Sequence, residues 1–461
     1  MLSSSAPLPS EILDLICQQL KEKDISSLRL VSRKWHDVAT AYLLPTADLI
    51  VKKTNFQRLQ EIAEHPVFSQ HVKRLVYEPT TITGRDREGW DLDTRYYADV
   101  IDCQSPSQND WDQHSSTHVW IGGSFFKRYS KEEKDKAWSR YQIYCEEQDE
   151  MLAGDWIADH IYSALSRMPA LKAIHFYHPW IFSGRAAEHK NKRRPFADAL
   201  WHPGIDHDLQ ALQNGLIHME SLFRAIHRSG IRLHELSLGI VSWKYLQWDH
   251  PIFETVKTVI RHLNDLEINL STDVDRKDQP IRADKAAFSA FLSTRALGQF
   301  LAAAPHLRRL ALSFNVAADF ATIALETHWP YLREVAFALI VATKESFLAF
   351  FKRHARSLKR LRLKSIALIG GQWSNVLEQM QAMLSLQSFR LEGYLFCLEP
   401  RQAWNLDEYG YSRDWKNDDL KAAWAGEAMS PLRRFMLEGG KCPLYDEEMY
   451  PQNSSNFSLD W

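Results

Sequence analysis

A single pattern recurs down this chain of 461 residues and constrains it most: an apolar residue, two others, a second apolar residue, one other, and a third. It reads Val72-x-x-Leu75-x-Tyr77, Leu171-x-x-Ile174-x-Phe176, Leu233-x-x-Leu236-x-Leu238, Leu263-x-x-Leu266-x-Ile268 and Leu307-x-x-Leu310-x-Leu312. It continues as Leu332-x-x-Val335-x-Phe337, Leu358-x-x-Leu361-x-Leu363, Leu386-x-x-Phe389-x-Leu391 and Leu432-x-x-Phe435-x-Leu437, nine copies in all. The last two apolar positions of each copy are two residues apart, so in a strand they share one face. Helical runs such as 297–304, 347–355 and 376–384 lie between copies. From 307 to 332 to 358 to 386 the steps are 25, 26 and 28 residues, within the roughly 20–29-residue period of a leucine-rich repeat. The expected fold class is α/β, an irregular leucine-rich-repeat-like solenoid of short parallel strands joined by helices. An irregular α/β domain with one twisted sheet is the alternative. The Asn that regular repeats carry after the third apolar residue is missing from most copies.

The first forty-odd residues follow a different rule. After Leu8 and Pro9, Ile12, Leu13, Ile16 and Leu20 recur at helical spacing, and Asp24 suits the N-cap of a run through Ile25, Leu28, Val31, Trp35, Val38 and Tyr42 that stops before Pro45. A unit this small needs a metal, disulfides or a partner to be stable. Its apolar positions outnumber what one helix face requires, so some face outward.

Leu8-Pro9-x-Glu11-Ile12, Ile16, Leu20, Asp24, Leu28 and Leu30-Val31-Ser32-Arg33-x-Trp35 together resemble an F-box. Ser32 stands where the family often has Cys. The resemblance implies docking on the Skp-type adaptor of a cullin–RING (SCF) ubiquitin ligase through Leu8, Pro9, Ile12, Ile16, Leu20, Leu28, Val31 and Trp35. An F-box followed by repeats resembles F-box proteins that hold a protein substrate on a leucine-rich-repeat domain. The expected organisation is an F-box at 1–45 and a repeat domain at 46–461, with insertions at about 79–150, 183–210 and 393–428. The first insertion ends in a helix from about Lys131 to Leu152.

Strand residues interleaved with the leucines change sign along the chain: Glu235, Ser237, Asp265 and Glu267, then Arg309, Arg360, Arg362, Lys364, Arg390 and Arg434. If they share the concave face, its C-terminal half suits an acidic or phosphorylated substrate, because guanidinium groups grip such oxygens bidentately. The alternative is that they pair with Glu334, Glu392 and Glu438 or with water.

Other classes find little support. A net charge of −2 and a pI near 6.8 argue against nucleic-acid binding. The longest apolar run, 335–342, is too short for a membrane span, and residues 1–7 do not read as a secretory signal. Five scattered cysteines fit reduced thiols in the cytoplasm or nucleus. No P-loop, Rossmann glycine fingerprint, Gly-x-Ser-x-Gly or His-Glu-x-x-His occurs. Neither an enzyme nor a cofactor is therefore expected, and the histidines at 175, 178, 202 and 207 with Asp208 fit no metal site. Lys190 to Arg194 could serve nuclear import or simply be a solvated loop. Two rivals remain, an F-box subunit working outside ubiquitination and an enzyme on an irregular α/β fold.

Overall fold

The computed structural model describes residues 8–461 except 83, 92–129, 177–195, 201–208, 248–249, 273–281, 324–326, 400–401, 407–430, 446–451 and 454–461. Three short helices come first: α1 (Ser10–Gln19), α2 (Glu22–Leu28) and α3 (Arg33–Thr40). Pro9 takes the N-cap position of α1, and its carbonyl accepts from Ile12 and Leu13. The expected Asp24 cap is not used, since α2 begins at Glu22 and places Asp24 inside. The capping residue of the second run is Ser32, whose hydroxyl accepts from the Trp35 amide and starts α3.

Eleven strands then form one sheet in chain order: β1 (Thr46–Ile50), β2 (Arg74–Glu78), β3 (Ala173–Phe176), β4 (Glu235–Ser242), β5 (Asp265–Ser271) and β6 (Arg309–Asp319), followed by β7 (Glu334–Thr343), β8 (Arg360–Ile369), β9 (Ser388–Cys397), β10 (Gln402–Asn405) and β11 (Gln452–Asn453). Pairing is parallel from β1 to β9 and antiparallel thereafter. The expected α/β class and parallel strands are what the chain forms. Eight of the nine apolar copies end in β2 to β9.

The ninth does not. Residues Pro431–Glu438 are a helix, burying Leu432, Phe435 and Met436 at i, i+3 and i+4, so Arg434 lies on a helix and not on a strand. Pro431 in the first turn and Gly439, at φ 86°, just past the end punctuate it. The third insertion also begins later than expected, because β9 runs on to Cys397 and β10 folds back against it.

One face of the sheet carries the repeated leucines. They bury against the connecting helices in one core, from Leu75 and Leu236 to Leu363 and Leu391. Indoles pin successive units together: Trp329 Nε1 donates to the Ala304 carbonyl at 3.0 Å and Trp373 Nε1 to that of Phe396 at 2.9 Å, both rings fully buried. Strict alternation breaks in β7 to β9. Leu339, Ser365 and Gly393 have left-handed φ of 56°, 51° and 68°, each just after a residue of the same register row (Ala338, Lys364, Glu392). These bulges move the buried phase from odd residues such as Phe337 to even ones such as Ile340.

A second, smaller core joins the insertions. Helix Lys131–Leu152, with the expected bounds and a Ser130–Glu133 capping box, packs Tyr141 against Trp90, Phe196 and Ala199, over Ile50 of β1. Lys52 lies over the Tyr144 and Phe196 rings, 4.1 and 4.7 Å from their centroids. Burial lowers its pKa, although Asp198 and Glu147 oppose the shift.

The three N-terminal helices have a core of their own, Cys17, Ile25 and Ala39, separate from the main one. The seam falls between Leu43, which packs with that small core, and Leu44, which packs with the large one. The Pro45 carbonyl accepts from Lys73 and Arg74 and so belongs to the sheet. A fragment starting at Leu44 is therefore expected to melt cooperatively by calorimetry. A broad, non-cooperative transition would show that the helices cap the sheet.

Two buried histidines make stability depend on pH. His354 Nε2 accepts from the Trp329 amide at 3.1 Å while its Nδ1 faces the Phe350 carbonyl at 3.0 Å, an arrangement that needs the neutral ring. Burial pushes its pKa down to about 4 and that of His218, bonded to the Tyr77 hydroxyl at 2.7 Å, to about 3. Both lie below the unfolded value of about 6.5, so their contribution is complete above that pH and is lost as pH falls toward the folded values. Denaturant titrations should show stability dropping by about 1.4 kcal/mol per pH unit per histidine between roughly pH 6 and 4. His354→Asn should halve that slope, leaving the part due to His218; an unchanged slope would remove His354 from the account.

Candidate functional site

The first candidate site is the outer surface of α1 and the α2–α3 turn. Along α1, Leu13 and Cys17 point inward at i and i+4, which turns Ile12, Leu15 and Ile16 outward. Burial, and secondarily Asp14, raises the Cys17 thiol pKa. The Tyr42 hydroxyl donates to Asp14 Oδ1 at 2.6 Å, tying the turn just past α3 to α1, and its pKa is raised by burial first and by that bond second. Lys34 Nζ donates to the Leu8 carbonyl at 2.6 Å and ties the start of α1 to the start of α3. Arg29 reaches Thr40 and His36 at 3.1 Å each.

The large apolar side chains left in water here are Leu8, Ile12, Leu15, Ile16, Leu30 and Val31; Leu30 is 87% and Val31 66% exposed. Elsewhere among the described residues only Ile143, Ile217, Tyr331 and Ile369 are comparable. Six of ten thus fall within residues 8–31, a concentration of the kind found on interaction surfaces. Of the residues named from sequence, Leu8, Pro9, Ile12, Ile16 and Val31 are exposed. Leu20, Leu28 and Trp35 are half-buried against Cys17, Ile25 and Ala39. Leu15 and Leu30 were missed. Leu15 is three residues from Ile12 and could have been found once Leu13 and Cys17 fixed the inward face.

The second candidate is the open face of the sheet. Its rows cross the strands in register: Glu235, Asp265, Arg309, Glu334, Arg360, Ser388; then Ser237, Glu267, Ala311, Ala336, Arg362, Arg390; then Asn269, Ser313, Ala338, Lys364, Glu392. Arg309 is held by three carboxylates, Asp265 at 2.6 Å, Glu267 at 2.9 Å and Glu334 at 3.2 Å. Burial opposes its charge, but Glu267 and Asp265 outweigh that and raise its pKa. Arg360 takes the other oxygen of Glu334 at 3.1 Å. Arg362 pairs with the fully buried Glu392 at 3.2 Å, and Arg390 binds its other oxygen. Pairing with Glu334 and Glu392, the alternative to substrate contact, is present for Arg309, Arg360, Arg362 and Arg390; Glu438, like Arg434, lies on the C-terminal helix. The structure therefore brings Arg360, Arg362, Lys364 and Arg390 together, commits Arg309 to its neighbours and sets Arg434 elsewhere.

His175 hydrogen-bonds Glu235 at 2.7 Å. His178, His202, His207, Asp208, Lys190 to Arg194, Cys103 and most of the three insertions lie outside the described residues. Among the described residues no group of three or more His, Cys, Asp or Glu could hold a metal ion. No helix among them is long and apolar enough to cross a membrane. The other four cysteines are free thiols.

Residues 6–44 match the family described as F-box-like, so the chain carries an F-box-like domain, coincident with the three helices and their exposed apolar residues. No curated protein matches the chain. Twenty chains of solved structures do. One belongs to a complex of Rad7 and Elc1 from yeast, 11% identical, covering 83% of this chain and 88% of that one, with a TM-score of 0.26.

Proposed function

We propose that this protein is a substrate-recognition subunit of an SCF-type cullin–RING ubiquitin ligase. The F-box-like helices, up to Leu43, dock on a Skp-type adaptor. The sheet domain from Leu44 on, an irregular leucine-rich-repeat-like solenoid, holds the protein substrate. The observation that carries this reading is the concentration of exposed apolar side chains in the F-box-like segment, on a unit whose buried apolar residues among those described are only Leu13, Cys17, Ile25 and Ala39. Such a unit gains most from a partner that covers it. On this reading the chain performs no covalent chemistry and needs no cofactor. It raises the local concentration of substrate lysines near a ubiquitin-charged enzyme held elsewhere in the assembly, in the cytoplasm or nucleus.

The test is co-purification of the full chain with a Skp-type adaptor and a cullin. Recovery of both, with ubiquitin transferred to a bound protein, supports the ligase reading. Adaptor without cullin would instead indicate work outside ubiquitination, and recovery of neither would overturn the docking assignment.

A further inference from the structure

The open sheet face carries its two signs of charge at opposite ends. On β4 and β5 it carries Glu235, Asp265 and Glu267; on β8 and β9 it carries four cations, Arg360, Arg362, Lys364 and Arg390, against one carboxylate, Glu392. Glu392 is shared by Arg362 and Arg390, and Glu334 is divided between Arg360 and Arg309. The guanidinium of Arg360 is the most open of these groups, its side chain 63% exposed. Between the two charged halves, β6 and β7 present Ala311, Ser313, Ala336 and Ala338 on this face. Small side chains there leave a shallow trough walled on one side by the cations of β8.

We propose that this trough receives an extended segment rich in Asp and Glu, lying along β6 and β7 with its carboxylates turned toward β8 and β9. Two features select that occupant. Arg360, Arg362 and Lys364 alternate along one strand, so their Cα atoms are about 6.6 Å apart and the set spans about 13 Å. An extended peptide presents every second side chain at the same pitch, so acidic residues at alternate positions meet successive cations. A single phosphate is too compact to engage the whole set. Carboxylates also match the group that Arg362 and Arg390 already hold in Glu392, and guanidinium–carboxylate bonds are the strong, directional kind.

The inference rests on the substrate-holding role proposed above and adds the substrate's chemistry. The probe is a fluorescein-labelled peptide with Glu at five alternate positions, titrated by anisotropy into the full chain bound to adaptor. Binding that weakens with salt is expected, and Arg360→Gln with Lys364→Gln should weaken it at least tenfold. Neutral glutamine is chosen because a reversed charge at 360 would face Glu334 and one at 362 or 364 would face the buried Glu392. Arg58→Glu, on the exposed side of helix Lys53–Glu64, should leave binding unchanged. No binding, equal binding by the double variant, or binding only of a peptide with a single phosphoserine would overturn the proposal. Adaptor affinity measured on the same samples keeps the two readings apart: its loss condemns the docking assignment, and its retention with no peptide binding condemns only this one.

Discussion

Ile12→Ala with Ile16→Ala is expected to weaken adaptor binding roughly 30- to 150-fold while the sheet domain keeps its melting temperature. Both side chains project from α1 on the face opposite Leu13 and Cys17, so truncating them leaves the small core of the F-box-like domain intact. Removing apolar surface that a partner would cover costs about 1–1.5 kcal/mol at each position, and about 2–3 kcal/mol together gives that range. Leu30→Ala should add to the loss if the adaptor spans both α1 and the α2–α3 turn, because Leu30 has almost no contact within this chain to lose. An isothermal titration with purified adaptor reads this directly. Wild-type affinity in the double variant would move the interface off this face, and helical content measured in parallel distinguishes lost contacts from an unfolded module.

The parts of this fold legible in the sequence are those where neighbours along the chain decide the outcome. Leu361 and Leu363 bury because they share a strand face, and Ser130 starts a helix because Glu133 is three residues away. The same locality misled at Leu432. Spacings of three and five read as a strand, while Met436, at a spacing of four, together with Pro431 and Gly439, specifies a helix. Left-handed backbone at Leu339 and Ser365 left no trace, because neither residue type favours it. At Gly393 the reason for glycine emerges only in three dimensions, where an added Cβ would lie 2.4 Å from the Ser365 hydroxyl on the adjacent strand. The candidate sites divide in the same way. Apolar excess in the first forty residues is a local property and could be read. Apart from Arg390, whose partner Glu392 is two residues on, which arginines on the sheet are already engaged depends on carboxylates 25 to 44 residues away, brought alongside only by strand register.

Arg309 shows how far that register changes the meaning of a residue, and Arg309→Met should be the most destabilising of the single changes on the open face. Its guanidinium is the common partner of Asp265, Glu267 and Glu334, and its side chain is only 20% exposed. Methionine retains the bulk and removes the charge, which leaves three carboxylates from neighbouring strands facing one another. Deleting one member of a buried ion pair costs about 3–5 kcal/mol, and the partial hydration of these carboxylates places the loss near 3 kcal/mol. Because the loss is largely repulsion among like charges, it should shrink in 1 M salt, where the screening length falls to about 3 Å. Arg309→Lys should lie between wild type and methionine, since an ammonium restores the charge without the planar fork that reaches all three partners. Urea titrations of the three proteins at low and high salt decide the matter. A methionine variant within about 0.5 kcal/mol of wild type would mean that Arg309 is not structural and return it to the candidate substrate contacts; a large, salt-sensitive loss would establish it as the tie between the acidic and basic halves of the sheet.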